Sequence, residues 1–464
     1  MKKISLIISA FTILIFASCD DYVDIVPRGS AIAENLEDVD ALLDHGMMLS
    51  GDPGNNNTVA LYVNDNIVML QAAQDYYGLI PLFKHKVNIY NLESTFYLPH
   101  ETDQGWINPY TSIGRCNYII EITPGMAGDD LVKNQYVGEA KVHRAHAYWR
   151  LVNLFGQHYG SANASESGSG VPILTQFGDI ETSLDRASVN AVYEFIESEL
   201  IEAIDLLREG RPFIDRVNKA AAQAMLARVY LHMGKYAEAL ELTNDVLAFN
   251  SNLMDYNDLT GMVPRGAENL ENILYKEVLP PAYYTFLGPT AELGYSESLV
   301  NAFDQPDFDL RISKLASING DGIYVINDIS SGFPIGVTVP EIMLIKAECL
   351  AQDEGKKDEA MDVLNTLREK RFFTDAVEAG EHLLTATDKQ DALNKIFDER
   401  RREFNILGMR FFDIKRLNQQ YNDVNISLVR DDVTWGPNSI NWAVPIGEGI
   451  IETGGGQIKQ NPRE

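Results

Sequence analysis

Hydrophobic residues recur along much of this chain at intervals of three or four, which is the spacing of amphipathic helices. In residues 135–155 the pattern places Val137, Ala140, Ala147, Leu151 and Leu154 mostly at such intervals. Similar patterns predict further helices at 189–207, 219–233, 236–248, 340–350, 357–370 and 391–404. We therefore predict a mainly α fold.

The predicted helices come in pairs, and the clearest pair covers residues 218–247. Its small and aromatic positions resemble the tetratricopeptide pattern, in which small residues let two helices approach closely. These positions are Leu226, Ala227, Tyr230, Gly234, Tyr236 and Ala239. A second helical pair has small residues at similar positions, with Ala347 and Ala360 one residue further apart than Ala227 and Ala239. Helices at 140–154 and 396–407 can supply two irregular units, which gives about four.

Four long stretches show no sustained periodicity: 51–105, 160–185, 251–340 and 421–464. Connections in compact proteins are usually about 4 to 6 residues long. These stretches are too long to be plain connections, so we expect them to form a second subdomain or binding loops. By its composition, the Ser- and Gly-rich segment 161–170 is predicted to be a flexible, exposed loop.

The N-terminus has the features of a secretory signal. Lys2 and Lys3 precede an apolar stretch at 4–17, which is shorter than the roughly 20 residues that a membrane-spanning helix needs. Small residues directly before Cys19 resemble a bacterial lipobox, in which the cysteine becomes the acylated N-terminus. Lipid chains contribute about 0.8 kcal/mol per buried CH₂ and would hold the protein on a membrane. The alternative is an ordinary cleaved signal and a free thiol.

Cys116 and Cys349 lie in apolar helical patterns and are predicted to be buried free thiols.

The net charge of the chain limits the classes of molecule that it can bind. The 464 residues include 67 acidic and 38 basic side chains, a formal charge of −29. Affinity for nucleic acid comes from clustered Lys and Arg, so this balance argues against a nucleic-acid partner. Neutral or cationic partners stay open, as does a simple role in solubility.

The order of motifs along the chain resembles the SusD/RagB family. After Cys19 come DDYVDIVPRG, GEAKVHRAHAYWRLVNLFG, the tetratricopeptide-like pairs, ERRREFNILGMRFFDIKR and a final AVPIG with QNP. The resemblance implies an outer-membrane lipoprotein in which about four tetratricopeptide-like units support a loop-rich ligand-binding subdomain. It also implies a SusC-like TonB-dependent transporter as partner and carbohydrate as the usual ligand, although some relatives handle peptides.

This resemblance leads us to divide the chain into four parts. A signal peptide at 1–18 precedes a SusD-like N-terminal part with tetratricopeptide-like helices at 19–250. A loop-rich insertion follows at 251–339. Residues 340–464 carry the C-terminal helices and terminal loops of the same domain.

No catalytic, metal or cofactor motif stands out, so we predict that the protein is not an enzyme and has no cofactor. His143 and His146 are three residues apart but lack a third ligand, and we expect packing or polar-face roles for them. The run Asp304, Asp307 and Asp309 lacks the glycine and terminal glutamate of a calcium loop, and an ion pair between Asp309 and Arg311 is predicted instead.

A dense charged cluster at 399–416 could be mistaken for an anion site. Helical spacing allows Glu399 to face Arg402 or Glu403, and Arg410 to face Asp413. We predict a buried salt-bridge network here rather than a ligand site.

Sugar recognition needs aromatic faces for C–H groups and polar side chains for hydroxyls. Aromatic residues in two aperiodic stretches satisfy this requirement, and members of the family that this chain resembles build their platform from loops in these regions. The predicted ligand-binding residues are Tyr76, Tyr77, Phe96, Tyr97, Tyr283 and Tyr284. Trp106, Tyr110 and Trp149 are predicted to be core residues, and a solvent-facing role is less favoured for Trp435 and Trp442.

The sequence thus predicts a lipid-anchored binding protein of the outer membrane, facing the exterior, that captures oligosaccharide or polysaccharide and passes it to a SusC-like transporter. Two alternatives are a peptide-binding member of the same family and a tetratricopeptide adaptor that binds only protein. A glycosidase is a third, because its two carboxylates need no fixed spacing in the sequence.

Overall fold

The computed structural model describes residues 33–44, 46, 48, 58–178, 183–260, 264, 268–278, 292–326, 333–405 and 408–464. In chain order, its helices are α1 (Leu36–Leu43), α2 (Thr58–Tyr62), α3 (Gln71–Leu79), α4 (Lys84–Tyr90), α5 (Gln104–Ile122), α6 (Asp130–Phe155), α7 (Val189–Leu206), α8 (Lys219–Met233), α9 (Tyr236–Phe249), α10 (Glu297–Val300), α11 (Leu310–Leu315), α12 (Val339–Leu350), α13 (Lys357–Glu369), α14 (Thr374–Glu378), α15 (Lys389–Glu403), α16 (Met409–Gln420) and α17 (Glu448–Thr453). The strands are β1 (Ile67–Met69), β2 (Asn272–Leu274), β3 (Glu277–Val278), β4 (Leu293–Tyr295), β5 (Ala316–Ile318), β6 (Tyr324–Ile326), β7 (Phe333–Pro334), β8 (Val337–Thr338), β9 (Leu428–Arg430) and β10 (Val433–Trp435).

The prediction of a mainly α fold is confirmed. Six of the seven predicted helices match their elements to within two residues at each end. The exception is α6, which begins five residues earlier than the hydrophobic pattern indicated, because the Asp129 side chain caps it by accepting from the backbone N–H of Leu131. Three short helices, α2 to α4, lie in the stretch 51–105, which shows no sustained hydrophobic period. Their 5 to 9 residues are too few to establish a helical period.

The helices stack into a continuous array. α5 packs on α6, α6 on α7, α7 on α8, α8 on α9, α9 on α12, and α12 on both α13 and α15. The α8–α9 hairpin shows how the local sequence sets this geometry. Asn218 caps the start of α8, and Gly234 ends it in the left-handed conformation, at φ 73°, that glycine adopts without strain. Ala227 and Ala239 are fully buried, as the tetratricopeptide-like pattern requires.

A small sheet joins two stretches of chain that are far apart in sequence. Its strand order is β1-β4-β6-β5, and all three strand pairs are antiparallel. In the β1–β4 pair, Ile67 lies opposite Tyr295 and Met69 opposite Leu293. The aperiodic stretches 51–105 and 251–340 therefore fold against each other.

The core confirms several sequence predictions. Trp106 and Trp149 are buried, and Tyr110 is partly buried against the same cluster. Trp435 and Trp442 are also buried, 5.6 Å apart between ring centroids. Cys116 and Cys349 are buried free thiols, as predicted. Among the described residues, no helix has the length and apolar character needed to span a membrane.

The predicted salt-bridge network is present, and it joins α15 to α11 and α13. The Glu399 carboxylate lies 2.7 Å from Arg311, 2.9 Å from Arg368 and 2.8 Å from Arg402. Arg311 also pairs with Asp309 at 2.6 Å, which confirms the predicted ion pair. We call this group the Glu399 network.

One predicted pair within the charged cluster was wrong. Arg410 does not pair with Asp413. Its guanidinium pairs with Asp65 at 2.6 Å, while Asp413 accepts from Arg400 at 2.8 Å. The reason is tertiary, because α2 packs on α16 and brings Asp65, from the far end of the sequence, within reach of Arg410.

Candidate functional site

The six aromatic residues predicted to bind ligand differ in their location and in their exposure to solvent. Tyr76 and Tyr77 lie on α3 and not in a loop. Successive helical residues point about 100° apart, and here Tyr76 is 39% exposed while Tyr77 is fully buried. Phe96 and Tyr97 are both buried, and Tyr283 and Tyr284 lie outside the described residues, as does the predicted lipidation site Cys19. Of the four described aromatics, Tyr76 alone can meet a ligand without movement of the chain.

The burial of Phe96 and Tyr97 has a packing explanation. Both follow α4 and belong to the main core cluster. The Tyr97 ring stacks on His85, with 5.7 Å between the centroids. The Asn88 side chain donates to the carbonyl of Phe96 at 3.2 Å. These contacts hold the chain after α4 against α4 itself.

Tyr77 anchors α3 from below. Its hydroxyl donates to one carboxylate oxygen of Glu292, and the Tyr62 hydroxyl donates to the other. The Lys86 ammonium lies 3.3 Å from the same carboxylate and 4.5 Å from the centroid of the Tyr77 ring. We call Tyr62, Tyr77, Lys86 and Glu292 the Glu292 anchor.

Burial dominates the electrostatics of this anchor. It raises the pKa of Glu292 to about 8 and lowers the pKa of Lys86 to about 7. Both side chains therefore titrate near neutral pH, in contrast to surface carboxylates and lysines.

The position of Glu292 explains why the anchor matters for the surface above it. Glu292 directly precedes β4, which pairs with β1, and its carbonyl accepts from the N–H of Leu70, the N-cap residue directly before α3. One residue therefore joins the insertion to the start of α3. The orientation of the exposed face of α3 is set by that junction.

The exposed face of α3, which we call the α3 surface, combines apolar and polar groups. Tyr76 and Leu79 are both exposed, and Leu79 is 84% exposed. The Gln71 amide donates to Asp75 at 2.8 Å, one turn along the helix. An aromatic ring beside amide and carboxylate oxygens can bind a neutral ring that presents C–H groups on one face and hydroxyls at its edge.

His143 and His146 pack in the interior, as expected. Nδ1 of His143 lies 2.6 Å from the Lys276 ammonium, and Nε2 of His146 lies 3.3 Å from the carbonyl of Ile335. Burial holds the pKa of both imidazoles well below the ordinary value, so both are neutral. Within the described part of the chain, no group of three or more His, Cys, Asp or Glu side chains is arranged to hold a metal ion.

Sequence reasoning missed two cavities. A groove of about 420 Å³ is lined by Trp106, Tyr110 and Ile450 among other apolar residues. A more polar cavity of about 550 Å³ lies between the end of α6 and α16. Each is built from segments far apart in sequence, so no local motif indicates it.

Comparisons with known proteins agree with this architecture. A family model described as starch-binding, associating with the outer membrane, matches residues 21–231. A second model, described as the SusD family, matches residues 340–435. The chain belongs to the SusD/RagB family. Neither match extends into residues 232–339, which contain β4 and the whole loop-rich insertion at 251–339.

Individual relatives of this SusD/RagB protein are distant. SusD-like proteins P38 and P2 of Formosa agariphila are each 24% identical to it. The first match covers 71% of this chain and 75% of P38, and the second covers 67% of this chain and 71% of P2.

Solved structures match more completely and establish the fold. A putative sugar binding protein from Bacteroides vulgatus superimposes with a TM-score of 0.74 at 21% identity, covering 93% of this chain and 99% of the other. A SusD superfamily protein from Bacteroides thetaiotaomicron gives a TM-score of 0.73 at 20% identity, covering 92% of this chain and 100% of the other.

Proposed function

We propose that this protein is a lipid-anchored binding protein on the outside of the outer membrane, which captures oligosaccharide or polysaccharide nutrients and delivers them to a SusC-like TonB-dependent transporter. SusD family proteins are binding proteins and are associated with the outer membrane. One matched structure is described as a sugar binding protein and another, also from Bacteroides vulgatus, as a SusD-like carbohydrate binding protein. These descriptions support glycan as the ligand class.

The observation that carries the proposal is the exposed Tyr76 ring on a helix that is fixed from below. A pyranose stacks its C–H face on an aromatic ring, and such contacts are strongest when the ring is already held in place. The Glu292 anchor holds α3, and Gln71 and Asp75, one turn apart and hydrogen-bonded to each other, supply polar groups on the same exposed helix. Tyr77, Phe96 and Tyr97 then act by packing, while direct ligand contact by Tyr283 and Tyr284 stays a prediction.

The anchor to the membrane is proposed to be the acylated Cys19. The apolar stretch before it is too short to span a bilayer, and a lipidated cysteine needs no spanning helix. The transporter partner is proposed from family membership. The formal charge of −29 is compatible with a ligand that is uncharged.

The test is isothermal titration and affinity electrophoresis against a panel of glycans, using wild type and Tyr76→Ala. Loss of the ring should weaken binding about tenfold, because aromatic contacts contribute roughly 0.5 to 1.5 kcal/mol beyond the area they bury. Tyr76→Phe keeps the ring and should bind nearly as wild type does.

A matched control is Phe249→Ala, which removes an exposed aromatic ring at the end of α9. Its glycan affinity should be unchanged. If Tyr76→Ala binds glycans as tightly as wild type, the α3 surface is not the binding site. If the protein binds peptides and no glycan, the peptide-binding alternative replaces this proposal.

A further inference from the structure

The polar cavity between α6 and α16 has the size and lining of a small-molecule site. We call it the α6–α16 pocket. Its volume of about 550 Å³ falls within the roughly 300 to 1,000 Å³ that ligand pockets occupy. Seven of its eleven lining residues are polar, and none of these residues belongs to the α3 surface.

Backbone geometry builds one wall of the pocket. At Gly156, which ends α6, an added Cβ would lie 2.8 Å from both the carbonyl oxygen of Val152 and a methyl group of Val189. Only glycine fits there, and the chain turns away into residues 157–163. The Lys415 ammonium on α16 donates to the Gly156 carbonyl at 2.7 Å and also to the Asn153 carbonyl. It thereby satisfies carbonyls at the end of α6.

Residues 437–442 form the opposite wall, and one side-chain amide joins it to the first wall by a hydrogen bond. The Gln157 side chain donates to the carbonyl of Ile440 at 2.6 Å. Trp442 closes the base of the pocket, and its indole N–H donates to the Gly436 carbonyl at 2.8 Å. Because Trp442 is only 2% exposed, it contributes shape and little stacking area.

The lining carries almost no net charge. In an acidic chain, none of the residues that line the pocket in the described structure bears a carboxylate. Burial lowers the pKa of Lys415 to about 7, and two of its three N–H groups are engaged by carbonyls. A cationic ligand would therefore lack a counter-charge, and an anionic ligand would meet only the one remaining N–H group of Lys415.

His158 adds an acceptor and not a charge. Its Nδ1 lies 2.8 Å from the carbonyl of Tyr159, so Nδ1 must carry the proton and donate. Burial lowers the pKa of this imidazole to about 3, which keeps it neutral. Nε2 is then an acceptor that is itself buried and has no hydrogen-bond partner within the described structure.

The remaining polar groups suit hydroxyls. Asn163, Gln419 and Asn438 each carry a carboxamide, which can donate and accept, and Ser161 carries a hydroxyl. A sugar hydroxyl also donates and accepts, so several such pairs can form without any charge. We propose that the α6–α16 pocket binds a neutral sugar of one or two rings, independently of the α3 surface.

Saturation-transfer NMR with neutral monosaccharides and disaccharides at millimolar concentration tests this proposal. The blocking variant is Ala162→Trp, because Ala162 is an exposed residue on the pocket lining and a large ring there fills the entrance. The matched control is Ser167→Trp, which places the same ring at an exposed position of the same loop outside the lining. We expect saturation transfer in wild type and in Ser167→Trp, and at least a fivefold loss in Ala162→Trp.

A further variant and a shared background keep the test decisive. Gln419→Ala removes one carboxamide from an exposed position and should weaken binding severalfold, even if the tryptophan variant folds poorly. Every protein compared in this test also carries Tyr76→Ala, so that the signal excludes the ring of the α3 surface and wild type here means the unchanged pocket; failure of the proposed function is thereby separated from failure of this proposal. Equal transfer in wild type, Ala162→Trp and Gln419→Ala would overturn the proposal. So would transfer to glucuronate or a dipeptide but to no neutral sugar, or no transfer at all.

Discussion

Glu399 on α15 and Glu292 directly before β4 both have buried carboxylates, but the neighbours of these two groups differ. Glu399 lies within 2.9 Å of three guanidinium groups. Glu292 has one ammonium at 3.3 Å and two tyrosine hydroxyls. Burial alone would raise the pKa of both.

The outcome depends on how much positive charge faces each carboxylate. At Glu399 the charges of Arg311, Arg402 and Arg368 outweigh burial and hold its pKa well below the ordinary value. At Glu292 burial prevails, and the pKa rises to about 8. The Glu399 network therefore keeps its charge over the whole physiological range, whereas the Glu292 anchor titrates within it.

The largest loss in the free energy of unfolding is expected for Glu399→Gln. This change leaves three buried guanidinium groups without their shared partner, which costs about 3 to 5 kcal/mol. Urea denaturation at pH 7 measures the loss in the free energy of unfolding. The control is Glu197→Gln, which breaks a more exposed pair with Lys235 and should cost at most about 1 kcal/mol. Similar losses for the two variants would refute the assigned role of the network.

A smaller effect is expected for Asp65→Asn, at the ion pair that joins the start of the sheet region to α16. Burial would raise the pKa of Asp65, but Arg410 and Arg401 outweigh it and lower the pKa to about 2. The variant should lose about 2 to 3 kcal/mol at pH 7.

The pH dependence of this loss has a definite sign. A lowered pKa gives stability that is present above the ordinary value of 3.8 and is lost as the pH falls through about 2. The difference between wild type and Asp65→Asn should therefore shrink on acidification. Denaturation curves at pH 7, 4 and 2.5 measure it, and a constant difference would show that the charge of Asp65 is not the cause.

The smallest effect, with the opposite sign, is expected for Glu292→Gln. A raised pKa gives stability that is fully present below the ordinary value of 4.5 and is lost as the pH rises through about 8. Wild type should therefore lose on the order of 1 to 2 kcal/mol relative to the variant between pH 7 and pH 8.5.

Thermal and urea denaturation at these two pH values give the comparison. Glu297→Gln, an exposed position five residues away, is the control and should show no such trend. A loss of wild-type stability toward low pH would mean that Glu292 is held as a carboxylate, like Glu399, and the contrast between the two regions would disappear.

Local patterns in the sequence were sufficient for much of the scaffold. Helical periodicity placed α8 at its observed bounds, and the spacing of Glu399 and Arg402 predicted their contact three residues apart. Apolar surroundings predicted that Cys116 and Cys349 are buried. In each case the deciding interaction lies within one or two helical turns, where sequence distance and spatial distance agree.

Contacts between residues far apart in the sequence were not predicted. Arg410 meets Asp65 across 345 residues, and Tyr77 meets Glu292 across 215. The sequence marked Tyr76 and Tyr77 equally as loop aromatics. Two features made one a surface residue and the other an anchor: the rotation of about 100° between successive helical residues, and the strand pairing that brings Glu292 to Tyr77.

The sequence by itself determined the helical pairs, the family and the chemical class of the exposed aromatic, because these depend on period, motif order and residue type. The tertiary structure decided which aromatic faces outward, which carboxylates keep their charge and where a neutral pocket opens between α6 and α16. The physical reason is that burial and the number of facing charges, which set exposure and pKa, belong to no single segment of the chain.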